Sequence, residues 1–322
     1  MKILVTGATG YVGSAVLRGL VRQGHEVTGI VRRKALAGSV EAEGAKVIIG
    51  NLLDSSSWAP ELRQNELVIS ASQPVRFGER LDVPESHRRS YYHGKMVANL
   101  FLAAQGSQVK GIAVTYGVLG FGDRGDKWVT DATDLSPVGY ERSVSGAFWH
   151  IDKTSRKTKV PLVNVFTGWV YGPGGWFGTM ARGIKNGTWH VVGDGNNLVS
   201  LIHIDDLTEA YCQIAARMAI GKRLCMVDGN PVTQRELADM VASSMGCRTP
   251  TRVEADEYAL ANGELASESM TASVKVSADR LKGTLLPELK YPSIREGVPA
   301  ALMEMGLLAG MEEVGLRQAA GF

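Results

Sequence analysis

The segment Met1–Gly13, MKILVTGATGYVG, limits this chain to few folds. Ile3, Leu4 and Val5 form a short apolar run that stops at Thr6-Gly7, as a buried parallel strand does on entering a tight turn. Gly7, Gly10 and Gly13 follow at three-residue spacing, and Val12, Ala15, Val16, Leu20 and Val21 then fall on one helical face. Each glycine has a physical purpose. Gly7 permits the turn, Gly10 lets the backbone approach a pyrophosphate, and Gly13 lets the helix pack close to its strand. The helix N-terminus offers free N–H groups and a positive dipole end to phosphates. A glycine triplet alone would suit any strand–helix turn. Here the strand before it and the helix after it are both present, so the stretch predicts a dinucleotide site.

The next strand, Glu26–Val31, ends at a point that bears on the cofactor. A site for NAD usually places Asp or Glu about 20 residues past the glycines, to accept from the ribose 2′-hydroxyl. This chain has Arg32-Arg33-Lys34 there. Three cations suit a 2′-phosphate, so the expected cofactor is NADP(H); the bland alternative is a basic turn facing solvent. Lys46–Ile49 reads as a third strand and Glu66–Ala71 as a fourth. A helix is expected over Met96–Ala104, then a strand over Ile112–Thr115. Alternating strands and helices predict an α/β fold with a doubly wound parallel (Rossmann) sheet. The later chain is rich in glycine and aromatics, with no repeats or low-complexity linker. The expected organisation is therefore a nucleotide-binding domain over 1–165, completed by a later segment near 196–225. A smaller, interleaved C-terminal substrate lobe spans 166–310, followed by a tail at 311–322.

Charge is nearly balanced, with 35 basic and 33 acidic residues, so nothing draws the chain towards nucleic acid or an acidic membrane. The cluster Lys153-Arg156-Lys157-Lys159 reads as a solvated helix end. Cys212, Cys225 and Cys247 lie far apart, without metal-ligand spacing, which favours a reducing compartment and neither disulfide framework nor metal site. The first strand starts at residue 2, leaving no room for a signal peptide, and no apolar run reaches membrane-spanning length. A cytoplasmic protein, monomeric or homodimeric, is the expectation.

Four segments together resemble the extended short-chain dehydrogenase/reductases of the epimerase/dehydratase type. Thr6-Gly7-Ala8-Thr9-Gly10-Tyr11-Val12-Gly13 is similar to the family's TGxxGxxG, and Gly50-Asn51-Leu52 to its GDL adenine contact with Asn for Asp. Trp169-Val170-Tyr171-Gly172-Pro173 resembles its VYGP turn and His203-Ile204-Asp205-Asp206-Leu207 its HVDDL segment. The resemblance implies that Ala71, Ser72 and Thr167 join Asn51 and Leu52 around the cofactor, with Gln73 on the substrate side. It also implies catalysis by a Tyr, a Lys that lowers its pKa, and a Ser or Thr that holds the carbonyl. Tyr140 stands at the tyrosine position, 18 residues after Gly122, but Val144 occupies the lysine position. Counting back five from Gly122 puts Gly117 at the hydroxyl position, preceded by Thr115 and Tyr116. The candidates for chemistry are thus Thr115, Tyr116 and Tyr140, with the usual constellation broken at two of three places. A second YxxxK match, Tyr91 to Lys95, precedes the fifth strand and reads as coincidence.

On the substrate side, four of six tryptophans fall within about forty residues, and Trp149, Trp169, Trp176 and Phe177 are the candidate contacts. Each taken singly suits a core; as a cluster they suit a flat, multi-ring substrate. A sugar nucleotide would call for more cations, and the family's arginine before the VYGP turn is Phe166 here. Among short-chain reductases without the triad, those tailoring aromatic polyketides, the angucyclinone ketoreductases, are the nearest resemblance. That implies NADPH-dependent reduction of a ring carbonyl on a polycyclic aromatic substrate in antibiotic biosynthesis. Conjugated rings or a neighbouring phenol would then stabilise the oxyanion that a chain without the triad is ill-equipped to hold. The alternatives are a redox-neutral cyclase or isomerase on the same fold, and a non-enzymatic NADP-binding sensor.

Overall fold

The computed structural model describes residues 1–75, 78–217 and 223–310; the expected tail at 311–322 lies outside the described residues. Seven strands form the main sheet: β1 (Lys2–Thr6), β2 (Glu26–Val31), β3 (Lys46–Ile49), β4 (Leu67–Ser70), β5 (Gly111–Gly117), β6 (Leu162–Thr167) and β7 (Arg223–Met226). Their order is β7-β6-β5-β4-β1-β2-β3, and every neighbouring pair is parallel. The chain reverses direction across the sheet between β1 and β4, and ligands of such sheets sit beyond the strand ends at that point.

Both faces of the sheet are covered, which is why its strands read as continuous apolar runs. On one face, α1 (Tyr11–Arg22) and the helix Ile204–Arg217 enclose Val5, Val16, Leu20, Leu207 and Ile214. On the other, the helices Val83–Ala104 and Phe148–Thr158 bury Leu4, Phe101, Val114, Tyr116 and Ile151. A third core lies apart from the sheet. There the helices Gly175–Lys185, Gln234–Ser244 and Ile294–Glu304 close over Tyr171, Phe177, Val241 and Val298. Late residues also pack with early ones: Trp128–Val129 pairs with Lys275–Val276, and Leu281 and Leu285 lie in the first core.

Two elements are longer than the sequence predicts. The helix expected over Met96–Ala104 begins at Val83 and has 22 residues. Its first half carries little apolar periodicity. It is instead started by Asp82, whose carboxylate accepts the Glu85 N–H at 2.7 Å, and by a proline in its first turn. Charge pairs of Glu85 with Arg88 and Arg89 then support that half. The fifth strand runs on from Thr115 to Gly117 because pairing with β6 continues through Tyr116–Phe166 and Gly117–Thr167. Among the described residues, no helix is long and apolar enough to cross a membrane.

Candidate active site

A cleft of about 1110 Å³ opens at the C-terminal ends of the strands, centred on the reversal between β1 and β4. Its floor is the turn from β1 into α1. Gly7 has φ +71°, and a Cβ there would lie 2.7 Å from the Ala71 backbone. A Cβ on Gly13 would lie 2.1 Å from the Gly7 carbonyl oxygen, so only glycine lets α1 start this close to its strand. Gly10 caps α1 with no side-chain hydrogen bond, and no acidic residue occupies the first turn. The first N–H groups of a helix have no partner within it. With Thr9, Gly10, Tyr11, Val12 and Gly13 all on the cleft wall, they offer an anion a cradle.

One end of the cleft is basic. Arg32 and Arg33, exposed just past β2, both line it, and no acid follows the strand. Asn51 and Leu52 line the same end. The Asn51 carboxamide oxygen accepts the Leu53 N–H at 3.1 Å, and Asn99 donates to the Leu52 carbonyl at 2.8 Å. Ala71 and Ser72, leaving β4, close against the glycine turn. This donor set, anion cradle at one point and cations at the next, fits a dinucleotide carrying a 2′-phosphate. Two residues expected in the cofactor site lie off the wall. Thr6 is fully buried, its hydroxyl donating to Ser70 at 3.3 Å, because its side chain points into the sheet interior. Lys34 starts the short 3₁₀ turn Lys34–Leu36, which carries it past the cleft into solvent.

The middle of the cleft lies over the ends of β5 and β6. Thr115 is 4% exposed, and its hydroxyl is paired with the Tyr211 hydroxyl at 2.5 Å. Thr167 lines the same wall and donates to the Tyr116 carbonyl at 3.3 Å. Tyr116 itself has to be removed from the candidates for chemistry. Strand alternation turns it to the opposite face of the sheet from Thr115, where it stacks on Phe166 at 5.0 Å and has no exposed surface. Tyr140 does line the cleft, but its hydroxyl donates to the Glu79 carbonyl at 2.7 Å. Burial first, and then the neighbouring Tyr258 and Glu79, push its pKa up to about 12. Val144, at the lysine position, is buried, and its carbonyl accepts from the His93 Nδ1–H at 3.1 Å. Lys95 of the second YxxxK match lies over the Tyr91 ring, off the cleft wall.

Sequence reasoning missed the acid at the centre. Glu141 sits in the 3₁₀ turn Gly139–Ser143, pinned to the helix Glu264–Thr271. There the Gly139 N–H donates to Glu268 at 2.7 Å and the Tyr140 N–H to Ser269 at 2.9 Å. The turn aims the Glu141 carboxyl at Gly117, where an added Cβ would lie 2.6 Å from its Oε1. Ser145 donates its hydroxyl to Oε2 at 2.5 Å, and the Gly117 N–H also donates to the carboxylate. Burial pushes the Glu141 pKa up to about 7, partly opposed by those hydrogen bonds. One signal was present in the sequence: glycine at the hydroxyl position leaves a volume that some other side chain must fill.

The far end is apolar and aromatic. Trp169 and Trp176 meet edge to face at 5.1 Å, and the Trp176 indole donates to the Val170 carbonyl at 2.6 Å. Both line the cleft, as do Gln73 and, from the later chain, Tyr258 and Met270. Two predicted substrate contacts lie elsewhere. Trp149 is 64% exposed on the outer side of the helix Phe148–Thr158, in a separate dimple with Asp152 and Arg223. Phe177 is fully buried in the third core against Tyr171, because its helix turns it inward from Trp176.

Residues 3–224 match the profile of the NAD dependent epimerase/dehydratase family. Several curated relatives match only in part: an uncharacterized protein of Schizosaccharomyces pombe is 41% identical over 69 residues, 21% of this chain and 23% of that one. In three such local matches the chain spans 19% to 32% of the relative's own length. The 3-diazoavenalumate denitrifying reductase of a Streptomyces species is 22% identical over 311 residues, covering 92% of this chain and 99% of that protein. Among solved structures, the human epimerase family protein SDR39U1, determined with NADPH, superposes with a TM-score of 0.77 at 18% identity. The match covers 94% of this chain and 99% of that one. Likeness at that identity speaks for the fold. The seven-stranded parallel sheet, the glycine turn that opens it and the profile match over most of its length establish that this chain belongs to the NAD dependent epimerase/dehydratase family.

Proposed function

We propose that this chain is an NADPH-dependent ketoreductase that reduces a ring carbonyl of a flat, polycyclic aromatic substrate, of the angucyclinone polyketide type made in antibiotic biosynthesis. The observation that carries the cofactor half is the pair Arg32 and Arg33, with no acid after β2, on the wall of the cleft that holds the glycine turn. Guanidinium forks match phosphate geometry and would hold the 2′-phosphate. The glycine turn would hold the pyrophosphate, and Asn51 and Leu52 would flank the adenine. When bound, the reduced nicotinamide supplies hydride. The edge-to-face pair Trp169 and Trp176, with Tyr258 and Met270, would hold the rings of the substrate in place. A relative named as a reductase over nearly the whole chain supports reduction as the reaction class.

The test is NADPH with a panel of polycyclic hydroxyquinones, sugar nucleotides and simple aliphatic ketones, followed at the nicotinamide absorbance band. Oxidation of NADPH on the polycyclic carbonyls is the expected result, with NADH a poor substitute. Arg32→Ala should weaken NADPH by roughly tenfold to a hundredfold, the worth of a charge-assisted hydrogen bond, and leave NADH nearly unchanged. Equal loss for both cofactors rejects the NADP assignment. Conversion of a substrate without net loss of NADPH would favour a cyclase or isomerase. Stoichiometric NADPH binding without turnover of any compound would favour a sensor.

A further inference from the structure

We propose that Glu141 is the proton donor of this reduction, its carboxyl standing at the end of β5 in the volume that Gly117 leaves open. The inference rests on the reductase reading above. Hydride addition leaves charge on the substrate oxygen, and a protein group must neutralise it there or the substrate must carry it alone. The hydroxyls first in question are committed elsewhere. Tyr140 donates to Glu79, Thr115 is tied to Tyr211, and Tyr116 lies in the core behind the sheet. Glu141 is the acid on the cleft wall beside Gly117, Thr115 and Thr167, at the ends of β5 and β6.

The carboxyl is held in place for proton transfer. The Gly117 N–H and the Ser145 hydroxyl fix its position, and its turn is clamped to the helix Glu264–Thr271 through Glu268 and Ser269. Among the described residues packed around it, no cation offsets it. On its own turn, Arg142 is paired with Glu268 at 2.5 Å. On the helix Val83–Ala104, His93 is buried and pushed down to about 4, so it stays neutral at ordinary pH. On β5, Tyr116 is likewise neutral, its ionisation opposed by burial and by Glu141 itself. Burial in these surroundings keeps a carboxylic acid protonated near neutrality, as a donor requires.

Hydride, which NADPH held by the glycine turn and Arg32 would supply, would add to the carbonyl carbon as the C=O π pair moves to oxygen. The Glu141 O–H bond breaks as its proton passes to that oxygen. The net change would be ketone to alcohol, the two electrons being those of the hydride that NADPH would supply. Glu141, left as a carboxylate held by Ser145 and Gly117, regains a proton from solvent through the cleft.

Glu141→Gln keeps the volume and a hydrogen-bonding head but cannot give up that proton. NADPH titration by fluorescence should match the wild type, while kcat falls by roughly a hundredfold or more. The wild-type kcat/KM should decline above about pH 7 as the donor ionises. Infrared spectroscopy of the wild type should show a protonated-carboxyl band below about pH 7 that is missing from Glu141→Gln. Ser145→Ala removes a hydrogen bond that favours the carboxylate, so it should move the declining limb to higher pH; this variant decides the matter if Glu141→Gln does not fold. Near wild-type kcat in Glu141→Gln, an absent band, or a limb unmoved in Ser145→Ala overturns the assignment of Glu141 alone. A wild type that binds NADPH but oxidises it with no carbonyl overturns the reductase reading, and this proposal with it.

Discussion

Tyr140 carries its hydroxyl at the family's tyrosine position, yet the hydroxyl is spent on the Glu79 carbonyl at 2.7 Å. With Val144 in place of a lysine, no described residue beside it lowers its pKa, and burial drives it up to about 12. Tyr140→Phe should therefore retain most of kcat and lose about 1 kcal/mol of stability with the hydrogen bond. A fall in kcat of a hundredfold or more, measured at saturating NADPH, would return Tyr140 to a proton-donating role. The residues that matter most here were partly visible in the sequence. Val144 and Gly117 announced that the usual constellation was broken. Glu141 did not announce what replaced it, because 24 positions separate it from Gly117 and only folding brings the two into contact.

At the scale of elements, the turn from β1 into α1 is a local device, and local rules describe it well. The apolar run, the three glycines and the amphipathic helix need no information from the rest of the chain. Gly13→Ala tests how tightly it is built. Its Cβ would fall 2.1 Å from the Gly7 carbonyl oxygen, so α1 must move away from β1 and the anion cradle must widen. A drop in Tm and at least a tenfold loss of NADPH affinity are expected, whereas unchanged affinity by titration would show that the cradle does not need this approach. The helix Val83–Ala104 is the opposite case. Its polar first half has caps and charge pairs rather than an apolar stripe, so a reading based on periodicity sees only its second half.

For the whole molecule, buried ionisable groups tie stability to pH in opposing directions. Glu141 is raised from 4.5 to about 7 in the folded protein, and Asp228 from 3.8 to about 7, both by burial. The folded state favours their protonated forms. The stability they contribute is full below the unfolded values and is lost as pH rises through about 7. His93, lowered by burial from 6.5 to about 4, works the other way: its contribution is present above 6.5 and lost as pH falls through about 4. Glu141→Gln removes one group and leaves the others, so they cancel in the comparison. Its Tm relative to the wild type should rise from about pH 4.5 to about pH 7 and level off above that. A constant difference across that range would mean the Glu141 carboxyl ionises normally in the folded protein.

The sequence by itself determined the doubly wound sheet, the glycine cradle and the basic end of β2, since each is written in neighbouring residues with a fixed period or spacing. Only the tertiary structure decided which aromatics face the cleft. Trp169 and Trp176 do, while Trp149 faces solvent and Phe177 the third core. All four are large aromatics, and the side of a helix or strand that meets a ligand depends on what else packs against it. The same holds for the acid at the centre. Glu141 owes its position to a turn clamped on the helix Glu264–Thr271, more than a hundred residues later in the chain, and its raised pKa to the burial that this clamp imposes.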